Sequence, residues 1–355
     1  MADRPVEISW FAALCDDDYE VLGVPDPALL SSVDHCADIV EEAERAGFDN
    51  ILLPSGYALG IDPVVFASVV AGRTGRIRLL VAVRCGELWP PQLARQLATL
   101  DQAAGGRLTV NIISSDLPGQ TLESVPRCGR TLEVMELLRD LLDGRPVDVR
   151  GPHHELAVDP PRAGTVSGRC PPLYFGGLSE PAREVAAKAA DVYLMWPDTE
   201  DRVAELVGDM RARAAAHGRT LRFGYRVHVV VRPTEDEARA AARHLVSALD
   251  DDTGTAIRNR SLDAGSAGVA QQSALRGDAD DEGYVEPNLW TGIGRGRSGC
   301  GAAVVGDPAQ VAAKLRRYVD LGMDAFVLSG YPHLDECRRF GRDVLPLLDH
   351  GPLVL

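Results

Sequence analysis

The sequence predicts a (β/α)₈ barrel with a long insertion before its last strand. Eight short apolar runs with strand character alternate with amphipathic helical segments, and this alternation favours a parallel sheet covered by helices. The length of 355 residues suits such a barrel, and a hydrophobic content of 45% suffices for a large core. A doubly wound open sheet is the alternative, but that fold does not require eight repeats.

The predicted strands cover residues 7–14, 50–53, 77–83, 108–113, 173–175, 191–195, 221–232 and 325–329. The predicted helices cover residues 32–46, 63–72, 92–104, 131–142, 181–189, 199–217, 234–249, 307–321 and 333–347. Gly47 is placed to end the first helix, and Thr234 with Glu237 forms a capping-box pattern. Residues 145–159 predict a surface hairpin, whose His-His pair at 153–154 is expected at the surface rather than on a metal.

The seventh predicted strand, residues 221–232, carries two polar side chains among alternating apolar ones. Arg226 and His228 are two positions apart, so they lie on one face with their heads about 7 Å apart or less. A guanidinium beside an imidazole is costly to bury without a partner. A solvated edge strand would explain the same pattern, but the position of this strand in the eight-strand series favours a functional site.

Residues 250–306 interrupt the alternation of strands and helices. This segment is rich in Asp, Gly, Ser and Arg, and it is far longer than the usual connection in an α/β fold. Arg295, Arg297 and the neighbouring glycines form a basic stretch within it. We expect a mobile lid within a single domain of residues 1–355, with a floppy surface insertion as the alternative.

In a barrel of this kind, catalytic groups gather at the carboxyl ends of the strands. Those ends carry Ser55, Arg84, Ser114, the turn Gly176-Gly177-Leu178-Ser179, Trp196, the pair Arg226 and His228, and Tyr331. The Gly-Gly-Leu-Ser turn precedes a helix and offers backbone N–H groups to a phosphate. Each residue alone has an ordinary structural explanation, but an anion binder, an acid–base group, a phenol and an aromatic wall on one rim indicate an active site.

Bulk properties exclude several classes of function. The net charge of −15 disfavours nucleic acid and anionic membranes as partners, but it leaves a small anionic organic substrate open. The beginning of the chain has no signal-peptide pattern, and no apolar run is long enough to span a membrane. Seven scattered cysteines without CxxC spacing favour reduced thiols in the cytoplasm and no metal site. Motifs of nucleotide hydrolases, zinc proteases and α/β-hydrolases are absent from the sequence.

Five segments carry a more specific signal. They are RQLATLD at 95–101, PPLYFGGLSE at 171–180, RFGYRVHVVVR at 222–232, EPNLWTGIG at 286–294 and GMDAFVLSGYPHLDE at 322–336. With them, the chain resembles the flavin-dependent alkanesulfonate monooxygenases of the bacterial luciferase-like superfamily over nearly its whole length.

The resemblance implies a luciferase-like barrel that receives reduced FMN (FMNH₂) from a separate NAD(P)H-dependent flavin reductase. Such an enzyme uses O₂ to cleave the C–S bond of a sulfonate, and it releases sulfite and an aldehyde. The resemblance also implies a homodimer or homotetramer. By match, the catalytic set is Arg226, His228, Tyr331, Trp196 and Arg297, with Arg297 on the lid. The matched cofactor-binding set is Asn111, Ser114, Arg127, Gly176, Gly177, Leu178 and Ser179.

Two positions depart from the family pattern. Leu59 lies roughly where the family has a cysteine after the second strand, and Arg127-Cys128 replaces an Arg-Tyr pair expected near the flavin phosphate. Three other functions are therefore kept as alternatives. They are a Baeyer–Villiger or N-hydroxylating monooxygenase, a deazaflavin-dependent oxidoreductase, and a non-catalytic flavin-binding protein.

Overall fold

A computed structural model describes residues 5–57, 60–259, 265–297 and 299–355. The strands are β1 (Glu7–Phe11), β2 (Asn50–Leu53), β3 (Arg78–Arg84), β4 (Leu108–Ile113), β5 (Val147–Arg150), β6 (Glu155–Val158), β7 (Leu173–Phe175), β8 (Val192–Met195), β9 (Arg222–Val231), β10 (Tyr284–Glu286), β11 (Leu289–Trp290), β12 (Ala303–Gly306) and β13 (Ala325–Ser329). The helices are α1 (Val33–Ala46), α2 (Pro63–Ala71), α3 (Pro90–Ala103), α4 (Ser124–Leu142), α5 (Glu180–Ala189), α6 (Glu200–Ala216), α7 (Glu235–Leu245), α8 (Asp251–Arg258), α9 (Ala267–Gly277), α10 (Pro308–Leu321) and α11 (His333–Asp343).

Eight parallel strands close into a barrel. Their order is β1, β2, β3, β4, β7, β8, β9 and β13, and β13 pairs with β1 to complete the circle. Helices lie outside the barrel, and most buried apolar side chains fill the layer between helices and strands. The predicted (β/α)₈ fold is therefore confirmed, and each of the eight predicted strands overlaps an observed one.

β9 is ten residues long, and it pairs both with barrel strands and with a strand of the insertion. Its first half pairs with β8 and β13 inside the barrel, and its second half pairs with β12 beyond the rim. Burial runs along the whole strand except Arg222, so β9 is a central strand and the solvated edge strand is wrong. This extension attaches the insertion to the barrel directly above Arg226.

The insertion folds into regular elements, which the sequence did not predict. Residues 250–306 contain α8 and α9, followed by the antiparallel pairs β10–β11 and β11–β12. β12 is parallel to β9, so it extends the barrel sheet outward. The strands of this Gly-rich segment could not be recognised in the sequence, because strands of two to four residues leave almost no periodic signal.

Three predicted helices differ from the observed ones by more than two residues at one end. The helix predicted at 234–249 is α7, which ends at Leu245. α4 begins at Ser124 instead of residue 131, because Pro126 lies in its first turn, where the missing N–H is not needed. Arg127 and Cys128 are therefore helical, although the sequence placed them in a loop. The closing helix ends at Asp343, and a short 3₁₀ turn covers Leu345–Leu347.

The hairpin predicted at 145–159 is confirmed as β5 and β6. His154, however, is not at the surface: it is 8% exposed, and its Nδ1 lies 2.9 Å from the carboxylate of Glu133. In the described ranges, no group of three or more His, Cys, Asp or Glu side chains is arranged so that it could hold a metal ion, and no helix is long and apolar enough to cross a membrane.

The amino end of the barrel is sealed by a buried polar cluster. Glu7 is fully buried and accepts hydrogen bonds from Tyr174 Oη at 2.6 Å and Asn50 Nδ2 at 3.2 Å. The backbone N–H of Leu353 donates to the same carboxylate at 3.1 Å. These contacts fill the amino end of the barrel in the described part of the chain, opposite the carboxyl ends of the strands.

Candidate active site

A cavity of about 540 Å³ opens at the carboxyl end of the barrel, a size typical of small-molecule sites. Inward-facing residues of the barrel strands and their following loops form its floor and walls: Phe11, Leu52, Pro54, Ser55, Arg84, Asn111, Leu194, Trp196 and Arg226. The loop after β1 and the insertion cover it with Cys15, Asp16, Asp17, Tyr19, Ile257, Gly296, Arg297, Gly299 and Cys300. The cavity thus lies where the barrel rule places catalytic groups.

Six of the residues singled out from the sequence line this cavity: Ser55, Arg84, Asn111, Trp196, Arg226 and Arg297. His228 and Tyr331 do not line it, because both are buried next to its wall. Ser114, Arg127 and the Gly176-to-Ser179 turn lie outside the lining as well.

Arg226 places a buried cation on the cavity wall. The residue is 4% exposed, and its guanidinium lies over the ring of Phe11 at 4.5 Å. Its hydrogen bonds go to neutral oxygens: Ser329 Oγ at 2.8 Å and the carbonyls of Val227 and Val327 at 3.1 and 3.3 Å. Among the described residues no acidic side chain forms an ion pair with it, so the cationic charge at the cavity is uncompensated by direct contact.

Ser329 joins Arg226 to His228. Ser329 Oγ lies 2.7 Å from His228 Nδ1 and accepts from Arg226 Nη2, so the two side chains do share one face, as the strand pattern predicted. Burial, aided by the nearby Arg226 charge, holds the pKa of His228 well below its ordinary value. The imidazole is therefore neutral at physiological pH, and its Nε2 has no hydrogen-bond partner among the described atoms.

Tyr331 stacks on His228 with ring centroids 5.4 Å apart. Its hydroxyl is buried and without a hydrogen-bond partner in the described part of the chain. Burial raises the pKa of Tyr331, although the nearby Arg297 opposes this change. The phenol therefore keeps its proton and can serve as a hydrogen-bond donor.

Arg297 of the insertion reaches across the cavity to the loop after β1. Its Nη1 lies 2.9 Å from Asp17 Oδ2, and both side chains are largely buried. The other carboxylate oxygen of Asp17 is buried and has no partner among the described residues. Burial lowers the pKa of Arg297, but Tyr331 and Asp17 together raise it above its ordinary value. The ion pair with Asp17 joins the insertion to the loop after β1.

A second buried pair, Asp18 and His333, was not predicted. Asp18 Oδ1 accepts from the backbone N–H of His333 and lies 2.9 Å from its Nδ1, while Oδ2 lies 2.9 Å from His35 Nε2. The His333 contact holds the pKa of Asp18 below its ordinary value despite burial. The run Asp16-Asp17-Asp18 lies in the loop after β1, so the rim rule applied to the first strand would have found it.

The Gly176-to-Ser179 turn lies where two helices begin. Ser179 is the N-cap of α5, and its Oγ lies 3.4 Å from the Oγ of Ser124, the first residue of α4. Gly177 has φ +157, and a side chain at Gly176 would overlap the carbonyl oxygen of Leu194. Two helix N-termini beside a glycine turn can bind an anion such as a phosphate.

The remaining predicted cofactor residues are held by protein contacts. Arg127 Nη1 lies 3.2 Å from Asp116 Oδ1, and Ser114 Oγ accepts from Thr131 Oγ1 at 2.8 Å. Cys128 is 3% exposed and belongs to the main hydrophobic core, so it replaces the family tyrosine with a core residue. Leu59 lies outside the described residues.

Comparisons with known proteins identify the family to which this chain belongs. A model of the luciferase-like monooxygenases matches residues 8–325. The chain belongs to this family. It is therefore an enzyme of the monooxygenase class, as the sequence segments implied.

Two curated relatives narrow the comparison. The chain is 62% identical over 360 residues to the sulfoquinovose monooxygenase of Novosphingobium aromaticivorans, covering 99% of both chains. It is 53% identical over 343 residues to the sulfoquinovose monooxygenase of Agrobacterium fabrum, covering 96% of this luciferase-like chain and 89% of the relative. These relatives are named for a sulfosugar, whereas the sequence segments had indicated alkanesulfonate monooxygenases.

Solved structures agree with the barrel. A long-chain alkane monooxygenase superposes with a TM-score of 0.77 at 18% identity, covering 97% of this chain and 91% of the other. At that identity the likeness establishes the fold of this luciferase-like enzyme.

Proposed function

We propose that this enzyme is a two-component monooxygenase that cleaves the C–S bond of sulfoquinovose with reduced FMN and O₂. Sulfoquinovose is a hexose whose C6 carries a sulfonate, so the products would be sulfite and a sugar aldehyde. The observation that carries the proposal is the buried guanidinium of Arg226, which faces the cavity without an acidic partner among the described residues. The names of the two close relatives support the same substrate.

The cavity is suited to a sulfonate at one end. Arg84, Arg226 and Arg297 all line it, and each is largely buried at its guanidinium. Arg84 and Arg297 have acidic partners, Glu87 and Asp17, which leaves Arg226 as the cation with its charge available. A guanidinium stays cationic and donates two parallel hydrogen bonds, which matches the oxygens of a sulfonate.

The rest of the lining favours a sugar over a plain alkyl chain. The side chains of Asp17, Ser55 and Asn111 offer acceptors and donors for hydroxyl groups. One oxygen of Asp17 is buried and unpartnered within the described residues, so a sugar hydroxyl would satisfy it. Trp196 presents an aromatic wall of the kind on which a sugar ring can pack.

The residues present fit a flavin mononucleotide. The turn of Gly177 and Ser179, together with Ser124, would hold the phosphate at the two helix N-termini, and Asn111 would lie toward the ring. When bound and reduced, FMN supplies the electrons that activate O₂. We infer that a separate NAD(P)H-dependent reductase delivers it, as the resemblance of the five sequence segments to two-component sulfonate monooxygenases implies.

The polar residues beside the cavity would position the guanidinium of Arg226 and protonate the reacting group. Neutral His228 holds Ser329, which in turn holds the guanidinium of Arg226. Tyr331 keeps its phenolic proton and would donate it, or a hydrogen bond, to an oxygen of the reacting group. His228 would therefore act as a positioning residue rather than as an acid.

A coupled assay tests the proposal. Purified enzyme, FMN, a flavin reductase and NAD(P)H are incubated with sulfoquinovose and with C1 to C10 alkanesulfonates, and sulfite is measured. We expect sulfite from sulfoquinovose well above the control without enzyme, and less from the alkanesulfonates. Oxygenated product without sulfite would point instead to Baeyer–Villiger or N-hydroxylating chemistry. Turnover with a deazaflavin and no oxygen requirement would indicate a dehydrogenase.

A further inference from the structure

Helix α9 of the insertion forms side-chain hydrogen bonds with the turn that follows β8. Gln272, which is 4% exposed, donates from Nε2 to the carbonyl of Pro197 at 2.7 Å. Gln271 donates to the carboxylate of Asp198 in the same turn. Gln272 Oε1 also accepts from the backbone N–H of Gly301 at 2.9 Å, so one side chain joins the turn after β8 to the segment that precedes β12.

The same helix packs directly on the indole of Trp196. A Cβ built on Gly268 would lie 2.7 Å from Cζ3 and 2.9 Å from Cε3 of that ring. A Cβ on Gly299 would lie 3.3 Å from Cζ2 of the same ring. Position 268 therefore requires glycine for the ring to lie where it does, although glycine there costs helix stability relative to alanine. A side chain at position 299 would require a shift of the ring of only a few tenths of an ångström.

Trp196 lies between this helix and the cavity. The ring lines the cavity, whereas the residues of α9, all of them described, do not. Any atom added to Gly268 would consequently push the indole toward the substrate. The position of this cavity wall depends on a helix that never touches the cavity itself.

We propose that Gly268 and Gln272 are positioning residues that set the width of the cavity through Trp196, and thereby its selectivity for a bulky sulfonated head group. The inference rests on the proposed function only for the identity of the substrate. α9 acts as a rigid support for Trp196. Gln272 fixes the distance between α9 and the turn after β8, and Gly268 fixes the distance between α9 and the indole ring. The insertion thus contributes to substrate specificity by supporting Trp196, although α9 itself does not line the cavity.

The test compares Gly268→Ala with Gly277→Ala. Gly277 is at the far end of the same helix, and a Cβ there would meet nothing within 4 Å, so it controls for helix propensity. The first readout needs no substrate: the fluorescence of Trp196, obtained by subtracting the matching Trp196→Phe variant, and its quenching by acrylamide. We expect Gly268→Ala to change both, and Gly277→Ala to match the unmodified enzyme.

The second readout is kinetic. We expect Gly268→Ala to raise KM for sulfoquinovose by about tenfold with little change in kcat, because the displaced ring weakens binding of the sugar. Inhibition by methanesulfonate, which carries the anion without the sugar, should stay unchanged. If Gly268→Ala does not fold, Gly299→Ala replaces it, since its Cβ would press on the other edge of the indole.

The outcomes separate the two proposals. Unchanged Trp196 fluorescence and unchanged KM in Gly268→Ala would overturn the role of α9. If the unmodified enzyme releases no sulfite from any sulfonate, the proposed function fails, and the fluorescence readout still decides whether α9 positions Trp196.

Discussion

The guanidinium of Arg226 shows how a single residue prepares the site for an anion. Burying a cation against an aromatic ring and neutral oxygens is costly, and a bound anion would offset part of that cost. Ser329 and His228 hold the guanidinium of Arg226 in place, so this side chain would lose little entropy when an anion binds. The arrangement favours a ligand with several anionic oxygens.

The low pKa of His228 gives a prediction about stability and pH. Between pH 7.5 and 5.5, the imidazole of the unfolded chain takes up a proton near its ordinary pKa, and the buried imidazole does not. Stability must therefore fall as pH falls. We expect the unmodified enzyme to lose about 1.4 kcal/mol more over this range than His228→Asn, measured by urea unfolding at both pH values.

The variant His228→Asn is chosen because its amide can replace the contact with Ser329 Oγ. All other titrating groups are shared by the two proteins, so the difference in slope isolates residue 228. Identical pH dependence in both proteins would show that His228 is not held neutral.

At the level of elements, the outer part of the insertion is anchored by one buried lysine. Lys314 of α10 is 3% exposed, and its Nζ lies 2.7 Å from Glu200 of α6 and 2.6 Å from Glu286 of β10. Tyr318 Oη lies 3.2 Å from the same carboxylate of Glu286. The strands β10 to β12 are therefore tied both to the barrel sheet and to the helical layer.

We predict that Lys314→Met destabilises the enzyme by about 2–4 kcal/mol, because it leaves two partly buried carboxylates without their cation. The control is Lys188→Met. Its partner Glu184 is 40% exposed, so the change should stay within about 0.5 kcal/mol. Denaturant unfolding measures both, and equal effects would show that the network around Lys314 does not anchor the insertion.

Two glycines should respond to alanine with opposite signs. A Cβ on Gly176 would overlap the carbonyl oxygen of Leu194, so Gly176→Ala should cost more than about 3 kcal/mol. Gly208 lies inside α6 with nothing within 4 Å of its Cβ position, so Gly208→Ala should stabilise by about 0.5–1 kcal/mol. Thermal unfolding of both variants checks the signs. A neutral Gly176→Ala would remove the steric reason for glycine in the turn.

Elements of the barrel could be predicted from sequence because each follows one periodic pattern. Strands such as β4 are apolar runs bounded by turns, and α7 begins with a capping box that the structure contains. The strands of the insertion could not be predicted, because β10, β11 and β12 are too short for a pattern. They are stabilised by pairing with one another, and β12 joins them to β9.

Within the site, residues on strands were easier to find than their partners. Arg226 and His228 were found because two polar side chains on a buried strand break its pattern. Asp17 and Asp18 lie in the loop after β1, and only the fold brings them to Arg297 and to His333. Such pairs join positions more than 250 residues apart, so a single sequence contains no local signal for them.

At the scale of the whole molecule, the arginines of the cavity are opposite in sign to the net charge of the chain. The chain carries a net charge of −15, whereas three largely buried arginines line the cavity. Distant surface charges are screened within about 8–10 Å at physiological salt, but buried ones are not. Two of these arginines are paired with carboxylates, so the charge that remains for an anionic substrate is that of Arg226, which the barrel buries away from the acidic surface.

The most direct test of the account is sulfite release from sulfoquinovose by the unmodified enzyme, Arg226→Ala and Arg222→Ala. Arg222 is on the same strand but pairs with Asp324 at 3.1 Å at the opposite end of the barrel, so it controls for the loss of an arginine. We predict that Arg226→Ala lowers kcat/KM by about a hundredfold or more while the barrel stays folded, and that Arg222→Ala stays within a few-fold of the unmodified enzyme. Unchanged kinetics in Arg226→Ala would contradict the claim that this guanidinium binds the sulfonate.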